Sequence, residues 1–284
     1  MKGTFIAFLL FAASIAGAAQ ECYRFTYLFY QKREKDAKFF KTNEMTVDYD
    51  GKTSFFYGEV SYLKDSLNTI AFDRDGNISD ESAYSQITRL PAAATDEKAV
   101  IDFAERTLTQ YYHDVAAFEG TMPLTVPQWT LTDEEKEIDG HPCAKAECDY
   151  LGRKWTAWYR KDVSVSAGPW FLWGAPGLIH HCSDSENLIK FRLVAIEKAP
   201  ASRLKNFLNY RKINNDRPRQ KVYSMPMSEM EIFHTKYRRD VKFFNQIHGV
   251  VGGYAVNAEG TRIEEPSTLP YIPLIPDEFW KQNK

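Results

Sequence analysis

The sequence predicts an α+β protein built on one large antiparallel β-sheet that packs against a few helices. Three observations carry this. The pairs Asp50-Gly51, Asp75-Gly76, Asp139-Gly140 and Leu151-Gly152 each separate two strand-like halves, and such pairs close tight hairpins. Two longer stretches place apolar residues at helical spacing. The chain has 284 residues, 44% apolar and 14% aromatic, enough for a sizeable core in one domain.

From the N-terminus, Lys2, the apolar run from Phe5 to Ile15 and the small residues Ala16-Gly17-Ala18-Ala19 read as a secretory signal peptide over 1–19, cut after Ala18 or Ala19. The run is shorter than the ~20 residues that cross a bilayer. "AAQE" ahead of Cys22 lacks the Leu of a lipidation site and puts Glu21 where a small residue belongs. The mature chain, 20–284, is therefore expected to be exported to the periplasm or cell envelope and not to span the membrane. The net charge of -2 leaves no basic footprint, so nucleic acid is excluded as a partner.

Cys22 to Arg33 opens the sheet with aromatic and β-branched residues. "EMTVDYDGKTSFFY", "IAFDRDGNIS", "KEIDGHPC" and "CAKAECDYLGRKWTAWYRKD" supply four hairpins. In "NLIKFRLVAIEK", Ile189, Phe191, Leu193 and Ala195 share a face. The first helix is predicted near Thr95–Phe118, with Val100, Phe103, Ala104, Leu108, Tyr111 and Val115 as its stripe, Thr95 as N-cap and Gly120 past its end. The second is predicted over Ser228–His248. Ser228 and Glu231 form its capping box, Met230, Phe233, Tyr237, Val241 and Phe244 line it, and Gly249 ends it. The basic stretch between Lys198 and Tyr223 reads as a solvated loop, the alternative being attraction to anionic lipid headgroups or phosphates. From Glu264, Pro266, Pro270, Pro273 and Pro276 predict an extended tail anchored by Tyr271 and Trp280.

Four cysteines, Cys22, Cys143, Cys148 and Cys182, in an exported chain predict disulfides, with three full pairings open. Strand alternation puts Ala144, Ala146, Cys148 and Tyr150 on one face and Cys143 on the other. A bond within that strand would need a bulge, so partners outside it are expected.

No P-loop, GxGxxG, HExxH, GxSxG or CxxC occurs. Neither an enzymatic activity nor a cofactor is predicted. Two groupings have metal-ligand chemistry: His141, Cys143, His180, His181 and Cys182, and separately Met225, Met227, Met230 and His234. The alternatives are a disulfide flanked by histidines and ordinary core packing.

The densest signal is "GPWFLWGAPGLI", Gly168 to Ile179, within a stretch free of charge from Val163 to Ile179. Gly174, Pro176 and Gly177 forbid regular structure there, and the glycines admit positive φ or close backbone approach. Upstream, Trp155, Ala157 and Tyr159 share a strand face opposite Trp158. An uncharged loop with Trp170 and Trp173 must pack, either inward as a plug on the sheet or outward as a binding lip.

These residues carry a resemblance. Gly140, Cys143, Lys145-Ala146, Gly152-Arg153, Trp155, Ala157-Trp158-Tyr159, Gly168-Pro169-Trp170 and Gly174 to Ile179 resemble, in order, the signature of the GLPGLI family of exported envelope proteins, mostly from Gram-negative Bacteroidota. Ala175, Phe171-Leu172-Trp173 and His180-His181-Cys182 depart from its usual pattern. The family's molecular activity is uncharacterised, so the resemblance brings no catalytic residues. It implies a large curved antiparallel β-sheet, a half-barrel like that of periplasmic lipoprotein carriers, packed with a few helices. The expected function is non-enzymatic binding of a lipid, acyl chain or apolar peptide, or of an outer-membrane or envelope protein. Trp155, Trp158, Trp170, Trp173 and Leu178 are the expected site. The alternative is periplasmic Cu/Zn handling through His141, Cys143, His181 and Cys182 or Met225 and Met227.

Overall fold

The computed structural model describes residues 21–91, 95–113, 117–217, 222–240, 255–256, 262–263 and 272–283. The signal peptide over 1–19, and Val241, Phe244, Gly249 and Tyr271, lie outside the described residues.

Twelve strands form one open, curved sheet. In chain order they are β1 (Cys22–Gln31), β2 (Lys41–Tyr49), β3 (Thr53–Gly58), β4 (Lys98–Asp102), β5 (Thr107–His113), β6 (Ala117–Pro123), β7 (Thr130–Ile138), β8 (His141–Tyr150), β9 (Arg153–Arg160), β10 (Leu178–Asp184), β11 (Ile189–Ala199) and β12 (Val222–Pro226). Their spatial order is β12-β6-β5-β4-β3-β2-β1-β11-β10-β9-β8-β7. All pairings within it are antiparallel except β12 with β6. A separate two-stranded ribbon joins β13 (Ala255–Val256) to β14 (Arg262–Ile263). The helices are α1 (Glu59–Ala71), α2 (Glu81–Arg89), α3 (Leu204–Asn215), α4 (Met227–Arg239) and α5 (Asp277–Gln282).

The hairpin chemistry holds at three of four turns. Gly51 has φ +78° between β2 and β3. Asp139-Gly140 (φ +51° and +78°) and Leu151-Gly152 (φ +48° and +78°) both hold the left-handed pair that matches strand twist. At Asp75-Gly76 the prediction is corrected. The residues before it finish α1, and only a single bridge, Phe72 to Ile78, flanks the turn.

The helix expected near Thr95–Phe118 is also corrected: the chain there makes β4, β5 and the start of β6. Both faces of β4 and β5 are buried. Ile101, Leu108 and Tyr112 face the main core, while Val100 and Tyr111 face a second one. Apolar residues therefore occupy both alternating positions and imitate a helical stripe. The turn between the strands is set by Asp102, whose Oδ1 accepts from the amides of Ala104 (3.0 Å) and Glu105 (2.8 Å). Gly120 sits in β6 rather than past a helix end.

The basic stretch after Lys198, expected as a loop, contains α3, which buries Phe207 against Phe55 and Tyr111. α4 starts one residue earlier than predicted, behind Pro226, without a side-chain cap. Glu231 turns into the core, where the Tyr112 hydroxyl donates to it at 3.1 Å, so no capping box forms. The tail, expected to be extended, instead bends at Leu274 and Ile275 and then forms α5; its anchor Trp280 is buried.

Curvature follows from the short links. β6 and β7 stand ten positions apart in the sheet, about 48 Å if it were flat at ~4.8 Å per strand. They are joined by residues 124–129, which reach roughly 25 Å at most. The sheet must curl to bring them together. α1 and α3 cover its outer side through one smaller cluster, α2 packs on α1 through another, and the main core fills the inner side.

Candidate functional site

The Trp-rich segment fills the concavity. The Trp170 indole N–H donates to Gln110 Oε1 of β5 at 2.9 Å, and its ring lies 6.2 Å from that of Trp155 on β9. β5 and β9 are seven strands apart, so one side chain spans the hollow. Trp155, Trp170, Phe171, Leu172, Ala175, Leu178 and Ile179 are all buried in the main core. Tyr27, buried on β1, donates to the Ile179 carbonyl at 2.6 Å and pins the segment where β10 begins; burial holds its phenol well above the ordinary range.

The glycines have separate tasks. A Cβ on Gly177 would collide with the Arg160 carbonyl, and one on Gly168 with the Leu172 carbonyl. Gly174 has φ +83° with open space around it. Two positions thus serve close approach and one serves backbone conformation. Trp170 itself is left-handed, at φ +54°, a conformation unusual for a bulky residue and maintained here by complete packing and its bond to Gln110.

Plug and lip divide along the segment. Trp170 is sealed within, whereas Trp173 is half-buried at the margin. The Trp173 ring meets Phe103 edge-on at 5.0 Å, and Phe103 meets Tyr49 at 6.2 Å. The Trp129 indole donates to the Trp173 carbonyl at 2.8 Å. Tyr49, Phe103, Trp129 and Trp173 are each half-buried, and they form a contiguous aromatic margin on the edge of the core. Phe103 and Trp129 escaped sequence reasoning. Phe103 was assigned to a helix, and Trp129 belongs to the link 124–129, which has no periodicity.

The five residues expected to bind ligand are therefore split. Trp155, Trp170 and Leu178 are core. Trp173 is marginal. Trp158 stands on the other face of the sheet, its ring 3.8 Å beneath the Lys136 ammonium and its strand neighbours Lys145 and His181.

The predicted metal ligands scatter as well. Among the described residues no group of three or more His, Cys, Asp and Glu is placed to hold a metal ion. The rings of His141 and His180 are 6.0 Å apart, and His180 Nε2 lies 3.8 Å from Asp139 Oδ2. Burial, more than that carboxylate can offset, pulls the His180 imidazole down to about 4. His181 faces the outer surface beside Arg192. Met227 and Met230 pack tightly on Gly120, with contacts a Cβ there would bring to 2.9 and 2.7 Å, while Met225 is half-buried on β12.

The four cysteines are free and buried, which corrects the disulfide expectation. No cysteine faces another in register. Cys22 lies opposite Ala199, Cys143 opposite Lys136 and Arg160, Cys148 opposite Trp155, and Cys182 opposite Ala157 and Phe191.

Buried charge gathers on the outer side. Lys98 Nζ lies 3.1 Å from Asp65 Oδ2 and 3.2 Å from Asp96 Oδ1 and bonds the Ser61 hydroxyl, which donates in turn to Asp96. Burial opposes the ammonium, but Asp96 and Asp65 outweigh it and raise the amine. A lysine held charged cannot act as a base towards Ser61, so the network is an ion-pair tie between α1 and β4.

The fold and site thus define an open, strongly curved β-sheet whose hollow is filled by its own tryptophan segment. No protein-family model matches the chain, and no curated protein does. Among solved structures, the chain is similar to PNGF-II in the C2 space group, with TM-score 0.47 and 14% identity over 77% of this chain and 33% of that one. For PNGF-II in the P21 space group the TM-score is 0.48, with 13% identity over 77% and 34%. The chain spans about a third of the length of those proteins.

Proposed function

We propose that this is an exported, non-enzymatic binding protein of the cell envelope, a divergent GLPGLI-type half-barrel, that takes an apolar ligand (a lipid, acyl chain or apolar peptide) or an envelope partner. The observation that carries the reading is the aromatic margin. Trp173, Phe103, Tyr49 and Trp129 are half-buried, touch one another and continue into the core. Contiguous aromatic surface that keeps a solvent-facing side supports a binding role, and Trp and Tyr at such places offer large contact area at low entropic cost. The plug behind the margin makes its floor rigid, so the ligand meets a preformed surface rather than an empty barrel.

The test is a tryptophan fluorescence titration of the mature chain with fatty acid, phospholipid vesicles and an apolar peptide. The expected result is a shift with at least one of them that disappears in Trp173→Ala and survives in Trp158→Ala. Emission unmoved by all three would sink the reading. Osmotic-shock fractionation with N-terminal sequencing checks export, expected to begin at Ala19 or Gln20. Native mass spectrometry of that fraction separates a carried lipid from a carried metal.

A further inference from the structure

Where β8 turns into β9, the chain's own C-terminal segment lies in a groove. We propose that this groove is a peptide-acceptor site that reads main chain, and that residues 272–282 occupy it in cis as a replaceable ligand. The inference is independent of the aromatic margin, with which it shares no residue.

Two body side chains take three successive carbonyls. Gln31 Nε2 donates to Ile272 O at 2.7 Å, Arg153 Nη2 to Pro273 O at 2.6 Å, and Arg153 Nε to Leu274 O at 2.9 Å. The guanidinium is oriented by the body itself. Its Nη1 donates to Asp184 Oδ2 at 2.8 Å, and Asp184 Oδ1 accepts from the amides of Leu188 and Ile189 at 2.8 and 2.9 Å. Asp184, 1% exposed and held by those two amides, fixes the guanidinium through a contact that involves no tail residue, and preorganisation of this kind favours binding.

The apolar seats are equally specific. Ile272, Leu274, Ile275 and Trp280 are buried. Phe279 rests on Gly152, where a Cβ would come within 2.7 Å of the Phe279 Cβ. Asp277 closes the contact with Arg239 at 2.8 Å and Thr235 at 3.2 Å. Residues 272–276 join no strand, so the sheet's ladders are complete without them. Beside the segment an open space of about 790 Å³, lined by Arg33, Lys35, Lys154, Glu186 and Glu278 among others, gives a path in and out.

The ligand class is a peptide of the form apolar-Pro-apolar-apolar-Pro-Asp that bends at its two central apolar residues. Its carbonyls give affinity and its three aliphatic side chains give selectivity, a division of labour shared with other peptide-recognition sites.

The experiment uses the full chain and a synthetic peptide of residues 272–283, with hydrogen exchange of the chain's own 274–282 amides as the readout. A linked segment competes at roughly millimolar effective concentration, so the peptide is added at a few millimolar. Exchange in the chain's own tail is expected to quicken about threefold or more with the peptide and not with a scrambled one. Arg153→Gln is expected to quicken it about tenfold. Leu274→Asp, which leaves every body residue in place, is expected to do the same while β1 and β11 stay protected. The proposal is overturned if the peptide leaves the tail's exchange unchanged, or if Leu274→Asp strips protection from β1 and β11 together with the tail, which would make the segment ordinary core.

Discussion

Gly177 is the least replaceable residue of the tryptophan segment. A Cβ there strikes the Arg160 carbonyl, a backbone atom tied into β9 that cannot swing aside. Gly177→Ala is expected to cost about 1–3 kcal/mol or more, read as a lower midpoint in urea; an unchanged midpoint would show that the segment does not press on β9. Glu231 gives a pH signature. Burial pushes its carboxyl up to about 8 against the pull of Tyr112, with Glu97 and Asp277 adding to the rise. Between its ordinary 4.5 and about 8, the folded protein keeps a proton that the unfolded chain releases. Its contribution to stability therefore falls as pH rises through that window, by at most about 1.4 kcal/mol per pH unit. His180, pulled down to about 4, acts oppositely, with stability rising from about 4 to 6.5. The clean measurement is the difference between the wild type and Glu231→Gln. The variant is expected to gain relative stability from pH 5 to pH 8, and parallel melting curves would contradict the assignment.

At the scale of elements, the close seat of α4 on β6 depends on Gly120. Met227 and Met230 occupy the space a side chain would need. Gly120→Ala is expected to lift the helix and cost about 1–3 kcal/mol, with lower Tm and faster amide exchange in α4 than in β1; an unaltered Tm would mean the helix yields freely. The same region shows where sequence reading stops. Tyr111 and Leu108 looked like turns of one helix because both faces of β4 and β5 are covered, and a doubly buried strand loses the two-residue alternation that identifies it. α3 is hidden in the sequence by its Lys, Arg and Asn residues, although Leu204, Phe207 and Leu208 stand at helical spacing; Phe207 is its only buried residue, with Leu204 and Tyr210 packed against the same cluster. Hairpins at Asp139-Gly140 and Leu151-Gly152 were legible because turn chemistry is local.

Across the whole molecule, register decides which groups meet. The sheet places Cys148 opposite Trp155 and Cys182 opposite Ala157, so the presence of four cysteines in the sequence does not fix any pairing. A thiol titration is expected to find four free thiols in denaturant and almost none in the native protein, because all four are buried. A count of two or none in denaturant would restore a disulfide. Curvature is likewise a property of the whole. Trp170 can touch both β5 and β9 only because seven strands of twist accumulate between them, and Arg153 finds the tail's carbonyls 120 residues onward. By itself the sequence determined the local matters: the turns, the strand-rich class, the need for glycine in the tryptophan segment and the requirement that its rings be buried. Only the tertiary structure decided which tryptophan is core and which is margin, where the cysteines stand, and what Gly152 and Arg153 hold. Those depend on contacts between residues far apart in the chain, and no local pattern encodes a distance that folding alone creates.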